Sequence, residues 1–427
     1  MRVLLLNQTF YPDVAATAQY LTDLAVGLAG RGHQVTVITS RRGYDCPTDR
    51  FPTIETWKGI TIHRVEATGL GKSSRWRRAI DFSSFIASCA FRLLRIPRHD
   101  AVVALTSPPL IAFLAAWYCR LRGARLFYWV MDLNPDAAVA AKWIPEHSIA
   151  ARGLEVMSRF SFRNSHQVIA LDRFMRDRVV AKGIPAEKIE VIPPWAQNDV
   201  AGWDAAGRDR YREKHGLQDR FLVMYSGNHS PCHPLDTLLD AAKRLAHEPR
   251  FAFCFVGGGS QHASTARFAQ DHGLKNIHTL PYSPIEELGG SLSAADLHVV
   301  AMGDPFVGMI HPCKVYNVLL VGAPILYLGP AKSHVSDLFD QIQDPGHLHS
   351  IRHGDVDAMV NAIRTAEANG GRGNPTKYAE AVERVGASNL LEKTLNLLET
   401  ASSTSPAKVP HLGTVNSQDA RFKVGSV

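Results

Sequence analysis

A lysine near the start of a predicted helix is the residue of this sequence best placed to bind an anion. Within Ala301–Gly329, a polar loop gives way at Pro312 to a short apolar helix, which Gly322 can end by taking a positive φ. The backbone amides from Met309 to Cys313 are then free at the helix start, where the helix dipole favours negative charge. Lys314 follows and can contact a phosphate as a point charge. The predicted phosphate and sugar site comprises Met309, Ile310, Pro312, Lys314 and Asn317.

Glycines follow two further predicted strands, at Gly227 and at Gly257–Gly259. Open α/β sheets bind ligands at the carboxyl ends of their strands, and glycine lets backbone amides approach a diphosphate closely. A tight turn after a buried strand explains the three consecutive glycines equally well. The first strand is followed by Asn7-Gln8-Thr9 without a GxGxxG motif, which argues against a nicotinamide-dependent dehydrogenase.

Asp132 is the carboxylate best placed to act on a reacting group. It follows the predicted strand Arg125–Val130, and so lies where the sheet would bind a ligand. One interpretation makes it a catalytic or acceptor-binding carboxylate, and the other makes it the N-cap of the next segment. Its place at the end of a strand favours the first. Further acceptor-side candidates come from the first loop and helix: Tyr11, Asp13 and Gln19.

Two series of alternating apolar runs and helical segments must position these residues. Such alternation is typical of parallel sheets with helices on both faces. It predicts an α/β protein with two Rossmann-like, doubly wound domains that face each other across a cleft. The strands of the first series are Arg2–Leu6, Gln34–Ile38, Ile60–Val65, Ala101–Leu105, Arg125–Val130, Gln167–Ala170 and Ile189–Ile192. The strands of the second series are Phe221–Tyr225, Phe251–Val256, Ile277–Leu280, Leu297–Ala301 and Ile325–Leu328.

The first series ends abruptly at Pro193-Pro194-Trp195. The polar stretch that follows is rich in Gly, Asp and Arg and indicates a linker. The last residues are rich in Ser, Thr, Pro and Gly, with few large apolar groups, which predicts disorder. The predicted units are an N-terminal Rossmann-like domain (1–197), a linker (198–217), a C-terminal Rossmann-like domain (218–385), a C-terminal helix (386–400) and a disordered tail (401–427).

The composition is that of a globular protein and limits its partners. At 427 residues the chain is too long for one ordinary core. Six scattered cysteines without CxxC spacing favour a reducing compartment over disulfides or metal sites. No cleavable signal peptide is recognisable, so we expect a cytoplasmic protein. The net charge of +7 fits nucleotide phosphates or an anionic membrane surface, and no nucleic-acid-binding motif is present.

A basic, aromatic segment over Lys72–His99 is a candidate for membrane contact. Its arginines are opposed by one acid, Asp81, and large apolar side chains lie between them. A basic amphipathic helix with aromatic residues is typical of an interfacial contact with anionic lipid. A helix that covers the core and exposes a solvated basic face explains the pattern equally well. The apolar run Ala101–Cys119 is interrupted at Thr106-Ser107-Pro108-Pro109 and is too short to span a bilayer, which takes about 20 residues.

Several further segments follow one another in a specific order along the chain. They are NQTFYPDVAATAQYLTDLAVGLAGRGHQVTVITS, MDLNPDAA, ALDRFMRDRVVAKGIPAEKIEVIPPW, YSGNHSPCHPLDTLLDAA, FVGGG, LPYSPIEELGGSLSAADLHVV and GMIHPCKVYNVLLVGAPILYLGP. In order and spacing they resemble the retaining, nucleotide-sugar-dependent glycosyltransferases of family 4, especially their WbuB-like branch, over most of residues 1–400. The resemblance implies a GT-B architecture, no metal, a nucleotide sugar as substrate rather than cofactor, and a donor-side place for Tyr282. It also implies that Leu390–Leu398 crosses back to the first domain.

The sequence departs from the family's pattern on the donor side. Asn228 and His233 stand where many relatives place an arginine and a lysine against the donor phosphates. Met309 and Asn317 stand where two glutamates usually lie, so Asn317 can hold a ribose or sugar hydroxyl but not as an anion. Charge compensation then falls to the helix-start lysine and amides, together with His311 or His233.

The prediction is a metal-independent, retaining glycosyltransferase with Asp132 and Lys314 as its catalytic groups. It would move a sugar from a nucleotide sugar to a lipid-linked or oligosaccharide acceptor in surface polysaccharide biosynthesis. We expect it in the cytoplasm, peripheral at the inner face of the cell membrane. The alternatives are a nucleotide-sugar 2-epimerase, which shares the architecture, and a non-catalytic subunit degenerated from a glycosyltransferase, which the missing glutamates suggest.

Overall fold

The computed structural model describes residues 1–13, 15–43, 48–71, 75–196, 202–370, 375–384 and 386–403. Within these ranges the chain forms two α/β units, each around one sheet. No helix in these ranges combines the length and the apolar character that a membrane crossing requires. The cysteines that the ranges include are unpaired thiols. Cys46, Lys72 and most of the predicted tail lie outside the described residues.

The first unit has its strands in the order β3-β4-β2-β1-β5-β6-β7-β8, parallel throughout the described residues except for the pair β3 and β4. Its strands are β1 (Arg2–Leu6), β2 (Gln34–Ser40), β3 (Ile54–Trp57), β4 (Ile60–Val65), β5 (Ala101–Ala104), β6 (Arg125–Trp129), β7 (Gln167–Ala170) and β8 (Ile189–Val191). Its helices are α1 (Ala16–Gly30), α2 (Arg75–Arg95), α3 (Ile111–Arg122), α4 (Asp136–Ala140), α5 (Ile149–Asn164) and α6 (Arg173–Ala181).

The second unit has its strands in the order β11-β10-β9-β12-β13-β14, and the described pairs are parallel. Its strands are β9 (Phe221–Asn228), β10 (Phe251–Gly258), β11 (Ile277–Leu280), β12 (Leu297–Ala301), β13 (Ile325–Leu328) and β14 (Leu348–Ile351). Its helices are α7 (Ala205–His215), α8 (Asp236–Arg244), α9 (His262–Asp271), α10 (Leu288–Ser293), α11 (Lys314–Val321), α12 (His334–Ile342), α13 (Val356–Asn369) and α14 (Pro375–Arg384). A last helix, α15 (Ala387–Ser403), follows them in the chain.

Several strands near the centres of the two sheets are buried along their whole length. Every residue of β5, β12 and β13 is buried, which is why these strands are continuous apolar runs rather than alternating ones. Helices on both faces exclude water from a parallel sheet, so each strand residue contributes to the core. The polar residues after the strands are consequently gathered at the carboxyl edges of the two sheets.

The region predicted to be a linker, 198–217, contains a helix that belongs to the second unit. Asp204 caps α7 by accepting the amide of Gly207, and Arg212 on that helix hydrogen-bonds the Ala294 carbonyl and pairs with Asp296. The Gly, Asp and Arg residues that suggested a linker therefore form a helix cap and an ion pair that fix α7 to the second unit.

The last helix lies on the first unit rather than the second. Leu395 of α15 packs against Gly27 of α1, where a Cβ would lie 3.0 Å from its Cδ1. Arg31, which follows α1, pairs with Glu392 and Glu399. The C-terminal helix thus joins the core of the N-terminal sheet.

Candidate active site

Lys314 is the centre of the predicted donor side. It is the first residue of α11, so the helix begins two residues later than Pro312, the predicted start. Its Nζ is buried and has no hydrogen-bond partner among the described residues, but it lies 3.6 Å from the centre of the Tyr225 ring. Burial lowers the pKa of Lys314 to about 7, because water no longer stabilises the ammonium. An anion placed beside Nζ would favour the charged form again, so the arrangement is suited to bind one.

Gly227 makes room for this lysine at the end of β9. Its φ is 140°, a region that essentially only glycine adopts. A Cβ at this position would also lie 2.8 Å from the Nζ of Lys314. Both the backbone conformation and the place of the ammonium therefore depend on this glycine.

The glycines at the end of β10 bring two strand ends into direct backbone contact. A Cβ on Gly257 would lie 2.1 Å from the carbonyl oxygen of Gly227, and one on Gly259 would lie 2.2 Å from Oδ1 of Asn228. Close packing of β9 against β10 therefore accounts for these glycines by itself. Their predicted approach to a diphosphate stays a prediction.

Tyr282 covers this bare backbone. Its ring atoms lie 3.2 Å and 3.1 Å from where a Cβ would stand on Gly257 and Gly258. The residue is half-exposed, with a relative accessibility of 53%. An aromatic face at the carboxyl edge of the sheet can stack on a flat ligand, which fits the donor-side place predicted for Tyr282.

Two histidines close to Lys314 are held neutral. His233 is buried and its Nδ1 donates to the carbonyl of Ala301 at 2.7 Å, and burial lowers its pKa to about 3. Burial, with the nearby charges of His262 and Lys314, lowers the pKa of His229 to about 4. A neutral ring supplies no positive charge, so compensation of phosphate charge by His233 would require a bound anion that raises its pKa, and it stays a prediction.

His311 is also engaged elsewhere. Its Nδ1 lies 2.8 Å from Oδ2 of Asp172, and its Nε2 lies 2.7 Å from the hydroxyl of Tyr316. Both ring nitrogens thus have partners within the protein, and the residue is buried. The structure contradicts the alternative prediction that His311 compensates the donor's charge.

The amides before α11 differ from the sequence prediction. The amides of Met309 and Ile310 both donate to the carbonyl of Phe306, at 2.9 Å and 3.2 Å, so they are not free for an anion. The carbonyl of Met309 accepts the amide of Leu133 from the first unit at 2.8 Å. Pro312 is buried just before the helix, and Asn317 lies half-buried one turn inside it. Lys314 contributes a buried side-chain nitrogen that has no hydrogen-bond partner among the described residues.

Asp132 lies after β6, and its amide is 3.3 Å from Oγ1 of Thr106. The N-cap residue of α4 is Pro135, so Asp132 does not cap that helix. Burial raises the pKa of Asp132 to about 6, against the opposing charge of Arg78. Burial raises the pKa of Cys232 to about 11, and Asp132 adds to that effect. The carboxylate of the first unit is therefore within electrostatic reach of the second unit's strand ends.

The other acceptor-side candidates lie around the first loop and α1. The ring of Tyr11 stacks on Trp57 with 4.0 Å between centroids, and its carbonyl accepts from Arg64. The amide of Asp13 donates to the carbonyl of Phe10, and Gln19 is half-buried on α1. These candidates stay predictions.

Tyr20, which the sequence analysis did not single out, joins α1 to the donor side. Its hydroxyl makes a side-chain hydrogen bond with Cys313, and burial raises the pKa of both groups. Its ring also meets Trp195 edge to face at 5.3 Å. The residue before Lys314 is therefore in contact with the first unit.

The surface of α2 combines exposed apolar and basic side chains, and we call it the α2 surface. One face of the helix is buried in the core through Phe85, Cys89 and Leu93. The other face presents Trp76, Ile80, Phe91 and Leu94, together with Arg77 and Arg95. The guanidinium of Arg95 lies 3.4 Å from the centre of the Phe91 ring. Trp117 and Leu121, on the neighbouring α3, are exposed as well.

Comparisons with known proteins show what the chain is similar to. Residues 16–195 match the family described as a glycosyl transferase 4-like domain. The chain is 25% identical over 387 residues to the putative colanic acid biosynthesis glycosyl transferase WcaI of Escherichia coli K12, covering 86% of this chain and 92% of that protein. It is 23% identical over 250 residues to the probable glycosyltransferase WbjE of Pseudomonas aeruginosa, which covers 58% of this chain and 62% of that one.

The fold is shared with solved glycosyltransferases. The structure of Anabaena Alr3699/HepE in complex with UDP superposes with a TM-score of 0.65 at 15% identity, over 94% of this chain and 100% of that one. WaaG, a glycosyltransferase involved in lipopolysaccharide biosynthesis, gives a TM-score of 0.66 at 16% identity, over 93% of this chain and 99% of that one. The predicted GT-B fold and the resemblance to family 4 glycosyltransferases are both confirmed.

Proposed function

We propose that this chain transfers a sugar from a nucleotide sugar, held by the second unit, to a lipid-linked or oligosaccharide acceptor, held by the first. The observation that carries the proposal is the buried, unpartnered ammonium of Lys314 beside the strand ends at Gly227 and Gly257. The diphosphate of a nucleotide sugar is an anion that could pair with this ammonium.

The chemistry follows from where charge develops. When the bond between the sugar and the diphosphate breaks, negative charge grows on the departing diphosphate. Lys314 would stabilise that charge from a dry position, where an electrostatic interaction is stronger than in water. Because Met309 and Asn317 are uncharged, neither opposes this with a carboxylate.

Asp132 would act from the opposite unit. With a pKa of about 6 it is mostly ionised near neutral pH, so it can accept a hydrogen bond or a proton from an acceptor hydroxyl. Retention of configuration and independence from metal ions are part of the proposal and are supported by the family resemblance. The names of WcaI and WaaG, which refer to colanic acid and lipopolysaccharide biosynthesis, support a surface polysaccharide as the product.

The acceptor's lipid would be reached at a membrane. We place the chain in the cytoplasm, at the inner face of the cell membrane, with the α2 surface against anionic lipid. Exposed Trp76 and Leu94 suit the interfacial region, and Arg77 and Arg95 suit its negative charge.

A panel of nucleotide sugars tests the function. The protein is incubated with each donor, with and without a polyprenyl-diphosphate-linked sugar as acceptor, and the products are separated by mass. Release of nucleoside diphosphate that depends on the acceptor supports the proposal. An isomerised nucleotide sugar would show a 2-epimerase, and an unchanged panel with no calorimetric binding of any nucleoside diphosphate would favour a non-catalytic subunit.

A further inference from the structure

A buried chain of hydrogen bonds joins the two units next to the donor side. Oδ2 of Asp172 accepts from Nδ1 of His311 at 2.8 Å, and Nε2 of His311 lies 2.7 Å from the Tyr316 hydroxyl, which donates to it when the ring is neutral. All three residues are less than 10% exposed. Hydrogen bonds in such an environment are strong and costly to break, because water cannot replace a lost partner.

The two ends of this chain of hydrogen bonds belong to different units. Asp172 is the N-cap of α6 in the first unit, where its Oδ1 accepts the amide of Met175 at 2.8 Å. Tyr316 lies on α11, two residues after Lys314, and His311 lies three residues before it. Burial alone would raise the pKa of Asp172, but the hydrogen bond and charge of His311 outweigh it and hold the pKa at about 2. The carboxylate is therefore ionised at neutral pH.

The surrounding contacts hold α6 against α12 and against the segment before α11. Arg173 binds Asp337 through two nitrogens, at 2.6 Å and 2.8 Å, and Arg178 donates to the carbonyl of Val307 at 2.6 Å. A Cβ on Gly308 would lie 2.6 Å from the backbone of Phe174. The start of α6 and the segment before α11 thus meet at backbone distance.

We propose that Asp172, His311 and Tyr316 form a positioning relay, which sets the start of α11, and with it Lys314, against the first unit. The inference rests on the proposed function, because it concerns the geometry between donor and acceptor sides. None of the three residues contacts substrate in this scheme. The relay acts through α11, so its loss should impair the step that needs both units and spare nucleotide binding, which needs one.

A metal site is the competing interpretation of part of this cluster. The ring of His334 stacks on His311 with 3.7 Å between centroids, and donor atoms of Asp172, His311 and His334 lie within 4.8 Å of one another. The 2.8 Å contact between Oδ2 and Nδ1 is a hydrogen-bond distance, and the far nitrogen of His311 already has a partner. These observations favour the relay.

The test uses the full chain and three substitutions, His311→Phe, Asp172→Asn and Tyr316→Phe. His347→Phe is the matched control, because His347 pairs with Asp344 within the second unit at 3.2 Å. The relay predicts that His311→Phe lowers kcat about tenfold while the Kd for nucleoside diphosphate changes by less than about twofold. Adding Asp172→Asn to His311→Phe should cause little further loss, since the two residues act as one unit.

Hydrogen exchange supplies a readout that does not depend on activity. His311→Phe, a change in the second unit, should speed amide exchange in the first turn of α6 in the first unit, and His347→Phe should not. The relay is overturned if exchange there is unchanged, if kcat and the Kd for nucleoside diphosphate worsen in parallel, or if the wild-type chain holds a stoichiometric metal that His311→Phe loses. Absence of nucleotide binding in the wild-type chain would refute the proposed function instead, and exchange would still decide the relay.

Discussion

The ammonium of Lys314 lies 3.6 Å from the centre of the Tyr225 ring and donates no hydrogen bond to any described residue. The ring face attracts a cation, but this compensates only part of the cost of removing the charge from water. Burial accordingly lowers the pKa to about 7. The free protein therefore holds its lysine poised between two protonation states, and a bound anion would select the charged one.

Substitution of Gly227 tests how far this geometry depends on one missing side chain. Gly227→Ala places a Cβ at 2.8 Å from the Nζ of Lys314 and forces a residue with a side chain to φ 140°. We expect nucleoside diphosphate to bind at least about tenfold more weakly, by calorimetry, and the thermal midpoint to fall. Gly273→Ala, at a positive φ with open space around it, is the control for backbone strain. Equal effects of both changes on the affinity would contradict the model of the site.

Asp132→Asn separates the acceptor side from the donor side. The variant keeps the shape and removes the charge, so turnover should fall about tenfold or more while nucleoside diphosphate affinity stays nearly intact. In the wild-type chain, activity should decline as the pH drops below about 6, where the carboxyl takes up a proton, and the variant should lack this decline. Loss of nucleotide binding in the variant would show that the donor has been assigned to the wrong unit.

The same carboxyl predicts a stability effect. Its pKa is raised on folding, so the folded state binds a proton that the unfolded state releases between about pH 4 and 6, and stability falls as the pH rises through that window. Above it, the buried charge costs at most about 3 kcal/mol. Asp132→Asn should therefore raise the thermal midpoint at about pH 7.5 and have little effect at about pH 4. The control Asp271→Asn, at an exposed position, should leave the thermal midpoint unchanged at both pH values. A stabilisation by Asp132→Asn that is independent of pH would refute the assignment.

Charge reversal on the α2 surface tests membrane contact. Each arginine near anionic lipid contributes about 1 kcal/mol, so Arg77→Glu with Arg95→Glu should weaken binding to phosphatidylglycerol-containing vesicles by about thirtyfold or more. Co-sedimentation measures the effect. The control carries Arg267→Glu and Arg352→Glu, two exposed positions of the second unit. If both double variants sediment with the vesicles alike, α2 is a core-covering helix and no more.

The regular parts of this fold are predictable because they depend on local patterns. Buried parallel strands such as Ala101–Ala104 and Ile325–Leu328 are apolar throughout, and their periodicity marks them. β3, Ile54–Trp57, was not predicted, because an edge strand with two exposed residues has no apolar run. β14, at the other edge, was missed for the same reason: its Leu348 is buried, but Ser350 is exposed.

The position of Lys314 at a helix start was predictable, because it follows from a loop, a helix and a glycine close in sequence. The neutrality of His233 was not predictable, because it depends on the Ala301 carbonyl, 68 residues away, and on complete burial. The pairing of His311 with Asp172 spans 139 residues and two units, so no local pattern could reveal it. Tyr225 lies two residues before Gly227 in a predicted strand. Residues two apart in a strand are on the same face of the sheet, and this spacing could have pointed to Tyr225.

Proton uptake is the sharpest test of Lys314. At about pH 8 a lysine with a pKa near 7 is mostly neutral, and a phosphate with a second pKa of about 6 is fully ionised. Binding of nucleoside diphosphate should then draw about one proton from solution, and affinity should weaken by up to about 1.4 kcal/mol per pH unit above pH 7. Calorimetry in buffers of different ionisation enthalpy counts that proton.

Lys314→Met should abolish the uptake, weaken binding and cost roughly 2–4 kcal/mol of transition-state stabilisation, whereas the exposed Lys275→Met should change none of these. Uptake that persists in Lys314→Met would assign the proton, and the diphosphate, to another group.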